Sequence, residues 1–130
     1  MKKFTTKEIG DKGEDYAVKF LKKNKYKILA RNYRIRYGEI DIIAENKSYL
    51  VFVEVKTRHT DSLTQPYEAV DYRKQRRIIK AASAYLCENK TEKYCRFDIC
   101  EVFVNSADLR LEKINYIEAA FEQESNYEAY

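Results

Sequence analysis

Apolar residues recur at intervals of three and four near the start of the chain, the spacing that places them on one face of an α-helix. Ala17 and Leu21 belong to this face, and Thr5 or Thr6 precedes it as a candidate N-cap. The pattern therefore predicts a first helix over residues 5 to about 24.

Three β-prone stretches follow this helix. They predict strands at residues 26–33, 39–44 and 49–56, and Gly38 marks the turn that precedes the second one. The polar segment ENKS, residues 45–48, is typical of a hairpin turn between the second and third strands.

The second half of the chain also divides into predicted helix and strand segments separated by polar links. A polar loop at residues 59–66 ends in the only proline, which suits a helix start, and the spacing predicts a second helix over residues 67–86. Residues 96–104 and 109–117 predict two more strands. The order α-β-β-β-α-β-β indicates an α/β fold in which helices pack on a central sheet.

The size and composition of the chain fit one globular domain. Its 130 residues are 45% hydrophobic and 35% charged, and we expect a single domain at residues 1–117 followed by an acidic tail at residues 118–130. No apolar run approaches the ~20 residues that a membrane span requires. The N-terminus lacks the apolar core of a signal peptide, so a cytoplasmic location is expected. Three cysteines without a C-x-x-C pair and a single histidine provide neither a disulfide framework nor a zinc site.

Charge is distributed unevenly along the chain. Residues 1–90 contain 21 Lys and Arg against 12 Asp and Glu, whereas residues 91–130 contain 4 against 9. A basic body favours a polyanionic partner such as nucleic acid, although many small soluble proteins are equally basic.

Acidic residues interrupt the apolar runs of the second and third predicted strands. Because side chains alternate between the faces of a strand, Glu39 and Asp41 should point one way while Ile40, Ile42 and Ala44 point the other.

On the next strand Val51, Val53 and Val55 should share one face, and Leu50, Phe52, Glu54 and Lys56 should share the opposite face. If the two strands pair through the ENKS turn, Asp41, Glu54 and Lys56 converge.

Two interpretations of this cluster remain open at this point. Alternating charges on the wet face of an antiparallel sheet need no function, and such ion pairs contribute ~0–1 kcal/mol. However, Leu50 and Phe52 share the face of Glu54, and acids beside buried apolar groups are costly unless they are paired or bind a metal. Two carboxylates with a nearby lysine suit phosphodiester hydrolysis, because carboxylate oxygens hold Mg²⁺ and a lysine can orient the attacking water.

The arrangement of these residues resembles a known nuclease core. Asp41, followed after twelve residues by Glu54-Val55-Lys56, is similar to the PD-(D/E)XK motif of restriction-endonuclease-like nucleases. The segments GEDYAVKFL, ILARNYRIRYGEIDIIA, VFVEVKTR, YEAVDYRKQRRIIKAASAYL and RFDIC together resemble the bacterial endonuclease-like family YraN over roughly residues 8 to 104. The resemblance implies a restriction-endonuclease-like fold with a mixed central sheet flanked by helices.

The same resemblance implies roles for individual residues. Asp41 and Glu54 would bind Mg²⁺, or alternatively Mn²⁺, with Lys56 as the catalytic lysine. Glu14 of GEDYA matches an acid that the first helix of this superfamily brings to the site; its other interpretation is a surface acid favoured by the helix dipole. Ile40 departs from the superfamily, which often has proline before its first acid, but that proline is not a ligand.

Basic residues near these acids are candidates for contact with nucleic acid. Arg58 follows the catalytic lysine and could reach a phosphate. The second helix carries a basic row that could contact a DNA backbone or form a solvated helix face. Its candidate residues are Arg73, Lys74, Arg76, Arg77 and Lys80. Lys74 lies one turn from Val70 and from Ile78, so it could instead point toward the acids.

From these observations we expect a Mg²⁺-dependent endonuclease that hydrolyses DNA, with branched or structured DNA, as for Holliday-junction resolvases, among the substrates. The alternative is a catalytically silent nuclease-fold module that binds DNA or acts as a scaffold. Resolvase-like relatives act as dimers, so a homodimer and a monomer both remain open, and no membrane partner is expected.

Overall fold

The computed structural model describes residues 3–60 and 70–122 of the chain. Its elements follow one another in the predicted order α-β-β-β-α-β-β. They are α1 (Thr6–Lys23), β1 (Lys27–Ile35), β2 (Gly38–Glu45), β3 (Tyr49–His59), α2 (Tyr72–Glu88), β4 (Tyr94–Val104) and β5 (Leu111–Phe121). The predicted α/β class is confirmed, and the arrangement is consistent with a restriction-endonuclease-like fold.

The five strands form one mixed sheet in the order β1-β2-β3-β4-β5. Neighbouring strands are antiparallel, except that β3 and β4 run parallel. A parallel pair needs a crossover connection, and α2 lies in the segment that joins these two strands. The crossover therefore places α2 against one side of the sheet.

Each side of the sheet has its own hydrophobic core. On the side that we call the α1 face, Leu21 of α1 packs with Ile42, Val51 and Val53. On the opposite side, the α2 face, Ile78 of α2 packs with another set of strand residues. These are Ile40, Ile43, Leu50, Phe52, Phe97 and Ile99. Because both faces of β2 and β3 are covered, charged side chains on these strands are drawn into partly buried surroundings.

Helix α1 begins where its sequence signals indicate. Thr5 is the N-cap, and it forms a capping box with Glu8: its hydroxyl accepts from the Glu8 backbone N–H while the Glu8 side chain accepts from the Thr5 N–H. Further along the helix, Gly13 faces Thr57 of β3, and a Cβ at this position would overlap the threonine side chain. Gly13 therefore allows α1 to lie directly against the strand that carries Glu54.

Helix α2 begins later than predicted. Asp71 caps it by accepting from the Lys74 N–H, and residues 70–71 are not helical, so the prediction of a helix from residue 67 is wrong at positions 70 and 71. Pro66 and residues 67–69 lie outside the described residues. The proline suggested an early helix start, but the capping chemistry belongs to Asp71.

The last strand is longer than predicted. It runs to Phe121, whose ring stacks on Phe97 with the centroids 5.0 Å apart. Residues 118–121, assigned to the tail, therefore belong to β5 as its final part. Glu122 follows the strand and is exposed, and the rest of the predicted tail, residues 123–130, lies outside the described residues.

Candidate active site

Asp41 lies on β2 at a point where the regular pairing of the sheet is interrupted. The β2–β3 ladder ends at the pair Ile42–Val53, so Asp41 has no ladder partner on β3. On the other side, Asn32 of β1 lies opposite Asp41 but is not paired with it, and Asn32 has φ 52°. Asparagine tolerates this left-handed conformation better than most residues. The irregularity falls within the strand run that sequence alone treats as continuous.

The break changes which face of the sheet Ile40 occupies. Ile40 packs on the α2 face with Ile43, whereas Ile42 packs on the α1 face. The prediction that Ile40 and Ile42 share a face is therefore wrong, because regular alternation holds only from Ile42 onward. Asp41 lies at the position where the alternation changes.

Asp41 takes over a hydrogen bond that a continuous ladder would supply. The Val55 backbone N–H donates to Asp41 Oδ2 at 2.8 Å. Burial raises the pKa of Asp41, while this backbone hydrogen bond opposes the shift by stabilising the ionised form. The carboxylate is therefore fixed against β3, next to the residue that follows Glu54.

Glu54 is a buried acid with an incompletely satisfied carboxylate. It extends from the α2 face of β3, where only 9% of the residue is exposed. Its Oε2 lies 3.5 Å from Lys74 Nζ, while its Oε1 is buried without a hydrogen-bond partner among the described residues. Burial, together with repulsion from the Asp41 carboxylate, raises the pKa of Glu54 to about 8. Asp41 and Glu54 therefore come together as predicted and form an electrostatically coupled pair.

Lys74 points toward the acids rather than along the exposed side of α2. Its Nζ lies 3.7 Å from Glu39 Oε1 as well as 3.5 Å from Glu54. Glu39 also forms an ion pair with Arg34, at 3.4 Å. Of the two orientations that the sequence left open, the structure favours the inward one, and it gives Glu39 a role as a partner of Lys74.

Glu14 is buried and held by neighbours on β1. Its Oε1 accepts from Arg31 Nε at 2.8 Å and from Asn32 Nδ2 at 3.1 Å. Glu14 and Asp41 line one cavity of about 310 Å³ between α1 and the sheet. Within residues 3–60 and 70–122, however, no group of three or more His, Cys, Asp and Glu side chains is arranged to hold a metal ion. Glu14 therefore borders the acidic pair and is engaged by basic and amide groups.

Lys56 and Arg58 continue along β3 beyond Glu54. Lys56 is half-buried and lies opposite Glu101 in the parallel β3–β4 register. The Nε of Arg58 donates to Glu101 Oε2 at 3.2 Å, and Asn115 Nδ2 donates to Glu101 Oε1 at 2.7 Å. Glu101 is buried and is held by Asn115, so it anchors Arg58. This arrangement joins β3, β4 and β5 and therefore could not be predicted from one strand's sequence.

The other predicted basic residues of α2 are exposed. Arg73, Arg76 and Arg77 line a shallow cavity of about 360 Å³ with Tyr72 and Lys80. Lys74 lies between Arg73 and Arg76 in the sequence of the same helix, and its ammonium group contacts Glu54. The basic row therefore borders the acidic pair along the same helix.

Among the described helices, none combines the length and apolar character needed to cross a membrane. The fold and the site define an α/β protein whose mixed sheet carries a coupled, buried pair of acids at a break between β2 and β3. Lys74 of α2 lies 3.5 Å from Glu54, one of these two acids.

Comparison with known proteins assigns the chain to a family. The model described as "Uncharacterised protein family UPF0102" matches residues 13–102. A UPF0102 protein of Caldanaerobacter subterraneus subsp. tengcongensis is 47% identical over 122 residues, which cover 93% of this chain and 100% of the relative. A UPF0102 protein of Clostridium acetobutylicum is 44% identical over 117 residues, covering 89% of this chain and 95% of the relative. The chain belongs to the UPF0102 family.

Proposed function

We propose that this protein is a Mg²⁺-dependent endonuclease that hydrolyses DNA phosphodiester bonds, with Mn²⁺ able to replace Mg²⁺ and with branched or structured DNA among its substrates. A cytoplasmic location forms part of the same proposal. The observation that carries the proposal is the buried Oε1 of Glu54, which has no hydrogen-bond partner among the described residues and lies beside the coupled carboxylate of Asp41.

Asp98, a second buried acid, differs from Glu54 in its hydrogen bonds. Asp98 is completely buried on the α1 face, yet both of its oxygens accept hydrogen bonds, from Arg96, Tyr116 and the Ala119 N–H. A buried polar atom without a partner costs about 1–3 kcal/mol. Asp98 avoids this cost and has the pattern of a structural acid, whereas at Glu54 only a proton shared with the Asp41 carboxylate offsets it. A ligand that coordinates Glu54 would remove this cost.

The donor atoms beside Glu54 are compatible with a hard divalent cation. Carboxylate oxygens are the protein ligands that Mg²⁺ prefers, and Mg²⁺ typically uses one or two of them while retaining several waters. Asp41 and Glu54 supply that number. When bound, the metal would lower the pKa of a coordinated water and offset negative charge on the phosphate.

The remaining residues have assignable roles in this proposal. Asp41 and Glu54 hold the cation, and Asp41 is oriented for this by the Val55 N–H. The ammonium group of Lys56 orients the attacking water or stabilises charge that develops on the phosphate.

Basic residues outside the pair would hold the substrate. Arg58 is 17% exposed and its Nε is held by Glu101, so it would contact a phosphate oxygen through its remaining guanidinium N–H groups. The exposed arginines of α2 would contact the backbone of DNA without selecting its sequence.

A specific observation also favours the alternative function, a silent module that binds DNA or acts as a scaffold. The ammonium group of Lys74 already lies beside Glu54 and Glu39, which partly compensates the negative charge of the site. A protein that used the fold only for binding could retain this ion-paired arrangement without turnover.

Cleavage assays distinguish the two functions. Linear, flapped and four-way DNA are incubated with the purified protein in Mg²⁺, in Mn²⁺ and in EDTA. The nuclease proposal requires metal-dependent cleavage that Asp41→Ala and Lys56→Ala each reduce at least a hundredfold, with circular dichroism spectra unchanged. Absence of cleavage with every substrate and metal, combined with salt-dependent DNA binding that Lys56→Ala hardly alters, would instead establish the silent module.

A further inference from the structure

Two exposed tyrosines flank the acidic site on its basic side. Tyr37, in the turn between β1 and β2, is 60% exposed, and Tyr72, at the first position of α2, is 57% exposed. Aromatic side chains of this size are normally drawn at least partly into a core. Exposure alone does not distinguish these two rings, because Tyr94 is 77% exposed; their distinguishing feature is the set of cationic side chains beside them.

Each of these rings lies against cationic side chains. The Arg76 guanidinium lies 5.8 Å from the centroid of Tyr72, while Arg36 and Lys80 lie 5.1 and 5.9 Å from the centroid of Tyr37. Tyr72, Arg76 and Lys80 follow one another at intervals of four residues, so they form one row on α2. The contact of Lys80 with Tyr37 extends this row onto the turn.

Gly38 keeps the turn and the helix together. A Cβ on Gly38 would collide with the carbonyl oxygen of Arg77 and would crowd Ala81. The backbone that follows Tyr37 therefore lies directly on α2, and the two tyrosines belong to a single surface. From Tyr72 to Lys80 the row extends about 12 Å along the helix, at a rise of 1.5 Å per residue. This length corresponds to roughly three or four stacked nucleotides at ~3.4 Å each.

The same surface connects directly to the acids. Tyr37 precedes Glu39 by two residues, Tyr72 precedes Lys74 by two, and Glu39 and Lys74 are ion-paired at 3.7 Å. A strand bound along the tyrosines would thus lead toward Glu54, which also contacts Lys74.

We infer that Tyr37 and Tyr72, with Arg36, Arg76 and Lys80, form a stacking surface for the unpaired bases of a single-stranded nucleic acid segment. Aromatic rings bind bases by stacking, and neighbouring cations bind the phosphates that link them. An intact duplex keeps its base faces inside the helical stack, so it would contact the cations but not use the rings. The substrate class is consequently DNA that carries unpaired nucleotides beside the cleaved bond, such as a flap, a gap or an open junction. This inference rests on the proposed nuclease function.

Tryptophan fluorescence tests the stacking directly, because the chain contains no tryptophan. Tyr37→Trp and Tyr72→Trp each place one reporter on the surface, and Tyr94→Trp places one at the start of β4, where Tyr94 is 77% exposed. Each variant is titrated with a 12-nucleotide thymidine strand and with a 12-base-pair duplex, in EDTA at low salt. We expect the single strand to quench tryptophan at positions 37 and 72 but not at position 94, and the duplex to quench none of them strongly.

Binding measurements with alanine and phenylalanine variants complete the test. We expect Tyr37→Ala and Tyr72→Ala each to weaken single-strand binding roughly tenfold and duplex binding by less than twofold. The matching phenylalanine variants and Tyr94→Ala should bind like the original protein. Equal losses for single strand and duplex, quenching at position 94 equal to that at positions 37 and 72, or no single-strand binding would each overturn the inference.

The design separates this inference from the nuclease proposal. All binding is measured in EDTA, whereas cleavage of flapped DNA in Mg²⁺ is measured separately with the original protein and Asp41→Ala. Cleavage without single-strand quenching would overturn only the stacking surface. Selective quenching without cleavage would support the surface and overturn the nuclease.

Discussion

Lys74 Nζ lies 3.5 Å from Glu54 Oε2, so a helix cation and a strand acid meet across the α2 face of the sheet. This contact joins the crossover helix to the acidic pair, and it draws in Glu39, whose Oε1 lies 3.7 Å from the same ammonium group. A cation that enters between Asp41 and Glu54 must therefore bind beside a positive charge.

Removal of that charge should strengthen metal binding. Two unit charges about 4 Å apart interact with ~4 kcal/mol at an effective dielectric constant of 20, and solvent reduces this value at a half-exposed lysine. We expect Lys74→Met to bind Mn²⁺ about tenfold more tightly in calorimetric titrations without DNA.

Lys80→Met is the matched control for this experiment, because it removes the same charge from an exposed position of α2. Its Mn²⁺ affinity should change by less than twofold. Equal effects of the two substitutions would mean that only the net charge of the protein matters, and unchanged affinity in Lys74→Met would contradict a cation site beside Glu54.

The protonation of Glu54 should make stability depend on pH. The pKa of Glu54 is raised from 4.5 to about 8 in the folded protein, so the folded chain retains a proton that the unfolded chain releases. The stabilisation from this proton is complete below about pH 4.5 and is lost as the pH rises through about 8.

Urea unfolding in EDTA at several pH values measures this effect. Between pH 5 and 8 the free energy of unfolding of the original chain should fall more steeply than that of Glu54→Gln, by at most about 1.4 kcal/mol per pH unit. Parallel curves for the two proteins would show that Glu54 is ionised throughout this range.

Part of this site could be predicted because its determinants are local. Alternation along β3 places Val51 and Val53 on the α1 face and Leu50 and Phe52 on the α2 face, as the structure confirms. The short polar turn pairs β2 with β3 and brings Asp41 to Glu54. Strand periodicity and turn chemistry depend on neighbouring residues, so both can be inferred from one sequence.

Other features depend on contacts between distant segments. Asn32, which has a positive φ, lies on β1 opposite Asp41, where the alternation along β2 changes. The anchoring of Arg58 by Glu101 requires the parallel β3–β4 register. An asparagine inside a β-prone run is a signal for an irregularity, because this residue is depleted in strands. The asparagine alone does not show which acidic residue on the neighbouring strand lies at the irregularity.

Asp41 should have separable structural and chemical roles. Its Oδ2 accepts from the Val55 N–H, and asparagine can provide an equivalent acceptor without a negative charge. Asp41→Ala leaves that N–H without its partner, so we expect it to be less stable than Asp41→Asn by about 1–2 kcal/mol. Urea unfolding in EDTA measures this difference, and calorimetry should show that both variants lose Mn²⁺ binding. Equal stabilities would mean that the hydrogen bond adds nothing to folding. Because an asparagine oxygen can also bind a hard cation, unchanged Mn²⁺ affinity in Asp41→Ala is the result that would exclude Asp41 as a ligand.

Two glycines of α1 provide the last prediction, because they differ only in what surrounds them. A Cβ on Gly13 would overlap the side chain of Thr57, whereas a Cβ on Gly10 would meet no atom within 4 Å. Gly13→Ala must therefore push α1 away from β3 and should destabilise the protein by about 1–3 kcal/mol. Gly10→Ala should stabilise it by about 0.5–1 kcal/mol, since alanine is the better helix former. The double variant Gly13→Ala/Thr57→Ala removes two of the three overlapping threonine atoms, so thermal and urea unfolding should show partial recovery of stability. Equal behaviour of Gly10→Ala and Gly13→Ala would contradict the close packing of α1 against Thr57 of β3.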